Sequence, residues 1–224
     1  MKRVLLSWSS GKDSAWSLHV LRQDPGVEVV GLLTSFNETA GRVAMHAVRR
    51  EIVEAQANAA GLPLRPVGIP WPCSNEDYEA RMSAAMDAAK ADGITHIAFG
   101  DLFLEDVRRY REERLASTGI QPLFPLWLRP TRALAREMID SGLRATLTCV
   151  DPKQLDRSYA GRQFETTTFP DGVDVCGERG EFHTCVTAGP MFARPIDTVT
   201  GDVVERDGFV FCDVTLRAAS SPQR

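Results

Sequence analysis

The sequence predicts an α/β fold: a parallel sheet with helices on both faces, followed by a smaller C-terminal α+β domain. Three observations carry this. Through the first half, short aliphatic and β-branched runs alternate with helix-length amphipathic runs. Near residue 127 that alternation fades, which divides the chain into residues 1–127 and 128–224. The C-terminal stretch "GDVVERDGFVFCDVTLRAA" then reads as a hairpin turning at Asp207 and Gly208.

In order, "RVLLSW" reads as a buried strand, "DSAWSLHVLRQ" as a helix and "VEVVGLLTSF" as a second strand. "AMHAVRREIVEAQANAAG" has helical spacing and closes on Gly61, a C-terminal stop. "LPLRPVGIPW" is a Pro-punctuated strand; "NEDYEARMSAAMDAAKADG" is a helix opened by Asn75 or its neighbour and closed by Gly93. "THIAFGD" is a further strand, and "EDVRRYREERL" a helix with compensating charges. "PLFPLWLRPTRALAREMIDSGLRATLTCVD" reads as loop, helix and strand, with Pro122, Pro125 and Trp127 as a rigid elbow. Strands separated by helices of this length are joined by right-handed crossovers, and their ligands sit at the carboxyl ends of the strands. That rule brings residues 7–14, 34–46, 70–76 and 100–112 to one rim.

Composition narrows the function. With 224 residues, 43% of them apolar, the chain has ample material for a core. The first residues carry too short an apolar run for a secretory signal, and no window has the length of a membrane span. A soluble, cytoplasmic protein is the expectation. A formal net charge of -4 argues against nucleic acid as a partner. Five scattered cysteines form no C-x-x-C pair. They read as buried thiols, with a redox or metal role for Cys176 and Cys185 as the alternative.

The break "SSGKDS", residues 9–14, lies between a strand and a helix. It matches neither the Walker A pattern nor G-x-G-x-x-G. The ingredients of phosphate binding are nonetheless present: hydroxyls on Ser9, Ser10 and Ser14, close backbone approach at Gly11, and the charge of Lys12. A plain polar turn capped by Asp13 or Ser14 is the competing reading.

"SSGKDS" resembles the pyrophosphate-binding loop of the PP-loop, or N-type, ATP pyrophosphatases, usually S-G-G-x-D-S, with Ser10 where the first Gly stands. "GDLFLEDVRRYREE", "PLFPLW" and "GERGEFHTCVTAGPMF" resemble, in the same order, segments of the diphthine ammonia ligase family and its shorter relatives. The resemblance implies a Rossmann-like fold of the HUP/PP-loop type, with an ATP-binding domain and a substrate-binding domain. It also implies ATP as cofactor, AMP as product and Mg2+, which Asp13 would hold. Ser9 to Ser14 would bind the phosphates, with Lys12 and Asp13 catalytic. Thr34 and His46 would face the adenosine.

Gly100 and Asp101 end a strand at the same rim, where Gly permits close approach and the carboxylate could bond a ribose hydroxyl or orient a metal-bound water. The diphthine ammonia ligases usually carry another residue at Asp101, so that role comes from position alone. Arg108 corresponds to a family arginine and would bind the α phosphate or a substrate carboxylate; Glu112, four residues on, would join it at the substrate. A helical ion pair between the two is the alternative. A second family arginine aligns with Tyr110, leaving Arg109 or Arg111 to substitute.

"CGERGEFHT" resembles the family form E-G-G-E-x-E-T: Glu178, Gly180, Glu181 and Thr184 match, while Arg179 and His183 depart. Two carboxylates around a glycine have no obvious core use. Glu178 and Glu181 would bind ammonium or accept its proton, with Gly180 and Thr184 at the substrate. The function implied is an AMP- and pyrophosphate-forming ligase that adenylates a carboxylate and transfers it to ammonia or an amine. The alternatives are a PP-loop RNA-modifying enzyme and a non-catalytic adenine nucleotide-binding protein. Homo-oligomerisation stays open.

Overall fold

The structure is a computed structural model that describes residues 1–43 and 47–218. Strand β1 (Lys2–Ser7) runs parallel to β2 (Val27–Asn37) on one side and to β5 (His96–Ala98) on the other. Beyond β2 lies β4 (Leu64–Ile69), and beyond β5 lies β6 (Gln121–Leu123), both parallel to their neighbours. A two-residue strand, β3 (Arg42–Val43), pairs antiparallel with the end of β2. The chain therefore builds outward from β1 in one direction, returns, and builds outward in the other. The order reverses between β1 and β5, and a crevice opens at such a switch point.

Alternation along β1 sends Val4 and Leu6 to one face of this sheet and Leu5 to the other. Helices α1 (Lys12–Leu21) and α2 (Arg50–Ala60) cover the first face, joined by α5 (Thr131–Asp140). Helices α3 (Asn75–Ala91) and α4 (Glu105–Leu115) cover the second. Gly61 closes α2 in the left-handed conformation at φ 66°. Ser74, the neighbour of Asn75, caps α3 by accepting from the Asp77 amide at 3.0 Å.

A second sheet, wholly antiparallel, has the order β8 (Phe182–Ala188), β7 (Arg144–Val150), β10 (Phe209–Leu216), β9 (Thr198–Arg206). It packs onto α1 and α2, so its inner residues Leu147, Val186 and Val210 share one apolar core with Leu6 and Leu32. The turn of the last hairpin is at Asp207 and Gly208, both with positive φ. No helix among the described residues is long and apolar enough to cross a membrane.

Three elements differ from the sequence reading. The helix placed over 44–61 starts only at Arg50, because residues 42–43 pair with β2 and Ala47 takes a left-handed φ of 54°. The segment 121–123 inside the Pro-rich elbow is the edge strand β6; an edge tolerates Pro122, whose missing N–H faces no neighbour. Strand β8 lies in a stretch where regular alternation fades, since its register shifts against β7.

Candidate active site

The loop between β1 and α1 lies at the switch point. Gly11 is the N-cap of α1, extended and without a side-chain cap, so neither Asp13 nor Ser14 closes the helix. The Ser14 hydroxyl donates back to the Gly11 carbonyl at 3.0 Å and lies 3.2 Å from that of Ser9. The Gly11 amide in turn reaches the Ser9 hydroxyl at 3.4 Å. Ser10 sits at φ 70°, a region that costs a non-glycine residue roughly 1–2 kcal/mol. Its carbonyl is held by the Val186 amide at 3.0 Å and by Gln56 Nε2 at 3.1 Å. Gln56 also donates to the Val186 carbonyl and accepts from Trp8 Nε1 at 2.9 Å. The Lys12 amide donates to Thr184 Oγ1 at 3.1 Å. Thus α2 and β8 fix the loop from behind, and Thr184 serves it as a backbone anchor.

Lys12 is buried, with Nζ donating to Asp13 Oδ2 at 2.7 Å and to the Cys176 carbonyl, above the rings of Phe164 and Phe182. Burial works against its charge, but Asp13 and the other groups around it outweigh burial and hold the ammonium above its usual pKa. Burial pushes the Asp13 carboxyl up against the pull of Lys12. Asp13 Oδ1 is buried without a hydrogen-bond partner among the described residues. The loop approaches β5 so closely that a Cβ on Gly100 would lie 2.9 Å from the Asp13 carbonyl carbon. Glycine there is a condition for this approach.

Residues 174–181 form the opposite wall. Both Glu181 oxygens are engaged, accepting from the amides of Asp174 and Arg179 at 2.9 Å each. Buried and bonded to its own loop, Glu181 has the core use that its spacing did not reveal. Asp174 accepts from the Glu178 amide at 3.1 Å and completes the brace. Gly180 lines the cleft at φ 85°. Glu178 faces the loop and accepts from the Leu102 amide at 2.7 Å. Burial, with Asp13 and Asp101 nearby, pushes its carboxyl up to about 7 against the pull of the Leu102 and Phe103 amides. His183 is pushed down to about 4 by burial and by Lys12, so it is neutral at neutral pH.

The remaining rim residues divide. Thr34 is buried on the other face of β2, its hydroxyl donating to the Trp8 carbonyl at 2.8 Å, while its neighbours Leu33 and Ser35 line the cleft. Period two explains the exchange: adjacent strand residues point oppositely. His46 lies outside the described residues. Asp101 lines the cleft and binds Arg111 at 2.8 Å, with the guanidinium stacked over Phe99 at 4.4 Å. Arg108 instead pairs with Glu112 at 2.7 Å and stacks on Phe124 and Trp127. This is the helical ion pair; Arg111 and Arg114 of the same helix line the cleft, and Arg108 does not.

Together these walls enclose a cleft of about 790 Å3, within the size range of small-molecule sites. Among the described residues no group of three or more His, Cys, Asp or Glu is placed to hold a metal ion. Asp13 Oδ1 nonetheless suits Mg2+, which typically takes one or two carboxylates, waters and substrate phosphates. Cys176 and Cys185 are free thiols pushed up to about 12 by burial, so they are poor nucleophiles and metal ligands.

Residues 1–122 match the family described as the diphthamide synthase N-terminal domain, and residues 130–215 its C-terminal domain. The chain belongs to the diphthamide synthase family. Among its relatives, the diphthine–ammonia ligase of Danio rerio is 27% identical over 87% of this chain and 85% of that protein. The Homo sapiens diphthine–ammonia ligase is 28% identical over 63% of this chain, and the match spans 56% of the human protein. A solved NADPH-dependent quinone oxidoreductase from Escherichia coli, 17% identical over 66% of this chain and 57% of its own, aligns with a TM-score of 0.29, too low to bear on fold or function.

Two supports of the site escape a reading of motifs. Gln56 stands among the buried residues Ile52, Val53 and Ala57 of α2, and a polar residue on the apolar face of a helix is the signal that could have found it. Asp174 lies just outside "CGERGEFHT", and no spacing marks it.

Proposed function

We propose that the protein is an ATP-dependent ligase that adenylates a carboxylate, releases pyrophosphate and passes the acyl group to ammonia or an amine, leaving AMP. The observation that carries this is the 9–14 loop, braced by Gln56 and β8 and open to the cleft beside Lys12, Asp13 and Glu178. Family membership supports the same reading. In the division of labour, residues 1–127 hold the nucleotide and residues 128–224 complete the substrate side.

In the first step a carboxylate oxygen attacks the α phosphorus, and the bond to the oxygen bridging to the β phosphate breaks as pyrophosphate leaves. Lys12 and the amides at the start of α1 receive the charge that develops on the leaving group. Mg2+, when bound, neutralises the triphosphate, and Asp13 would hold it. In the second step the amine nitrogen attacks the acyl carbon and the bond to AMP breaks. Glu178, poised near neutrality, takes the proton that the nitrogen sheds. Ser35 of β2 and Val43 of the neighbouring β3 border the space left for the adenosine.

The test is pyrophosphate release from Mg-ATP with and without ammonium and carboxylates. Release that depends on both, reduced about 100-fold or more in Lys12→Ala with its fold confirmed by melting, supports the ligase. RNA-dependent release, or tight ATP binding without release, overturns it.

A further inference from the structure

The chain crosses from β2 to α2 at the rim, and the two ends of that crossing, residues 41–43 and 47–50, meet. The Val43 amide donates to the Val48 carbonyl at 2.9 Å, the Ala47 amide to the Val43 carbonyl at 3.1 Å and the Arg50 amide to the Gly41 carbonyl at 3.0 Å, so Arg42 and Arg49 lie side by side. Two guanidinium groups on such neighbours repel each other. One carboxylate from the other sheet, Asp213 of β10, serves both. Its Oδ1 accepts from Arg42 Nη1 at 2.9 Å, and Arg49 donates to both oxygens, through Nε at 3.1 Å and to Oδ2 through Nη2 at 2.6 Å. Arg42 Nη1 also donates to the Ala47 carbonyl at 2.6 Å. Asp213 lies where the register of β10 against β9 shifts, between Cys212 and Val214, and an irregularity of that kind re-aims a side chain.

We propose that Asp213 is a positioning residue for the nucleoside: by holding Arg42 and Arg49 together it fixes Val43 at the border of the adenosine space, so the antiparallel sheet helps to shape the nucleotide site. The inference rests on the ligase reading, which puts the adenosine beside Ser35 and Val43, and adds a residue outside the cleft lining that acts through the arginines. Arg42 directly precedes Val43, so a shift of one moves the other. Stability alone gives a weak reason for the arrangement, since the Arg49 side chain is 40% exposed and ion pairs near the surface add little. What two arginines on one carboxylate add is geometry, because the flat fork and the carboxylate match in few orientations. Burial works against the Asp213 charge, but the hydrogen bonds and charges of Arg49 and Arg42 outweigh it and hold the carboxyl down at about 2. The clamp is therefore ionised at neutral pH. Among the described residues neither arginine pairs with another carboxylate, so removing the Asp213 charge leaves their repulsion unopposed.

The experiment is calorimetry on the full chain with Mg-ATP and with magnesium tripolyphosphate, which offers phosphates without a nucleoside. In Asp213→Asn the Kd for ATP is expected to rise roughly tenfold while that for tripolyphosphate stays within about twofold, because the 9–14 loop is braced elsewhere, by Gln56 and Val186. Asp213→Glu keeps the charge and is expected to recover most of the loss. Val210→Ala takes buried volume from the same strand without touching the clamp; it should lower the melting temperature yet leave ATP affinity within about twofold. An unchanged ATP affinity in Asp213→Asn overturns the proposal. So does an equal loss for both ligands, or a loss as large in Val210→Ala, since either would mean that the site responds to general loosening. Wild-type protein that binds no Mg-ATP sinks the ligase reading itself, an outcome distinct from the others.

Discussion

On the face of the parallel sheet turned toward α1 and α2, helices and the antiparallel sheet close into one continuous core that contains Trp8, Trp16, Leu18 and Ile52. Under α3 and α4 the second core is smaller; α4 buries only Leu115 in its length, and α3 only Met86 and Ala89. The same sheet thus has one face packed to hold a loop still and another left partly open. Catalysis by positioning needs both: a rigid backbone for the phosphates and room for something to arrive.

If the packed face is what fixes the loop, breaking its clamp should have the largest effect. Gln56→Leu leaves Trp8 Nε1 without its buried partner, at about 1–3 kcal/mol, and removes one bond each from the Ser10 carbonyl, which keeps the Val186 amide, and the Val186 carbonyl. A loss of about 2 kcal/mol or more in urea denaturation is expected, and a loss under about 1 kcal/mol would show that the clamp is incidental.

At the seam between the faces, Gly100→Ala forces a Cβ into the Asp13 backbone, for about 1–3 kcal/mol and a weakened ATP affinity. Unchanged affinity in calorimetry would separate the seam from the site. Within the loop, Ser10→Gly relieves the left-handed strain and should raise stability by about 1 kcal/mol, read as a higher urea midpoint. On the open face, Met82→Ala should cost less than about 1 kcal/mol, because its side chain is half-buried and lines the cleft.

The subtlest sharpening is with pH. The Glu178 pKa is raised from 4.5 to about 7, so the folded state binds the extra proton between those values. Its contribution is fully present below pH 4.5 and is lost as pH rises through about 7. Glu178→Gln should remove that part of the slope. An identical pH profile for both proteins, measured by denaturation at a series of pH values, would mean that Glu178 ionises as freely as an exposed carboxylate.

Several parts of the molecule were legible from residues alone, for local reasons. Gly61 and the Asp207–Gly208 turn need positive φ, and the sequence shows it. The alternating strands and helices of the first half announce a parallel sheet, whose carboxyl ends then locate the rim. Thr34 shows the limit: spacing finds the strand end, but a shift of one residue turns a side chain from the cleft into the core. Arg108 and Arg111 share one helix, and only the neighbours brought up by β5 and β6 decide which faces Asp101 and which stacks on Trp127.

Sequence by itself determined most of the alternation of strands and helices in the first half, the small polar residues of the loop and the short-range turns, since each depends on residues close along the chain. Tertiary structure decided which groups meet: Lys12 with the carbonyl of Cys176, Ser10 with Val186, Glu178 with Leu102. Those partners lie far apart in the chain, and what pairs them is the packing of one sheet on another, where a buried polar group must find whatever partner the fold brings within reach.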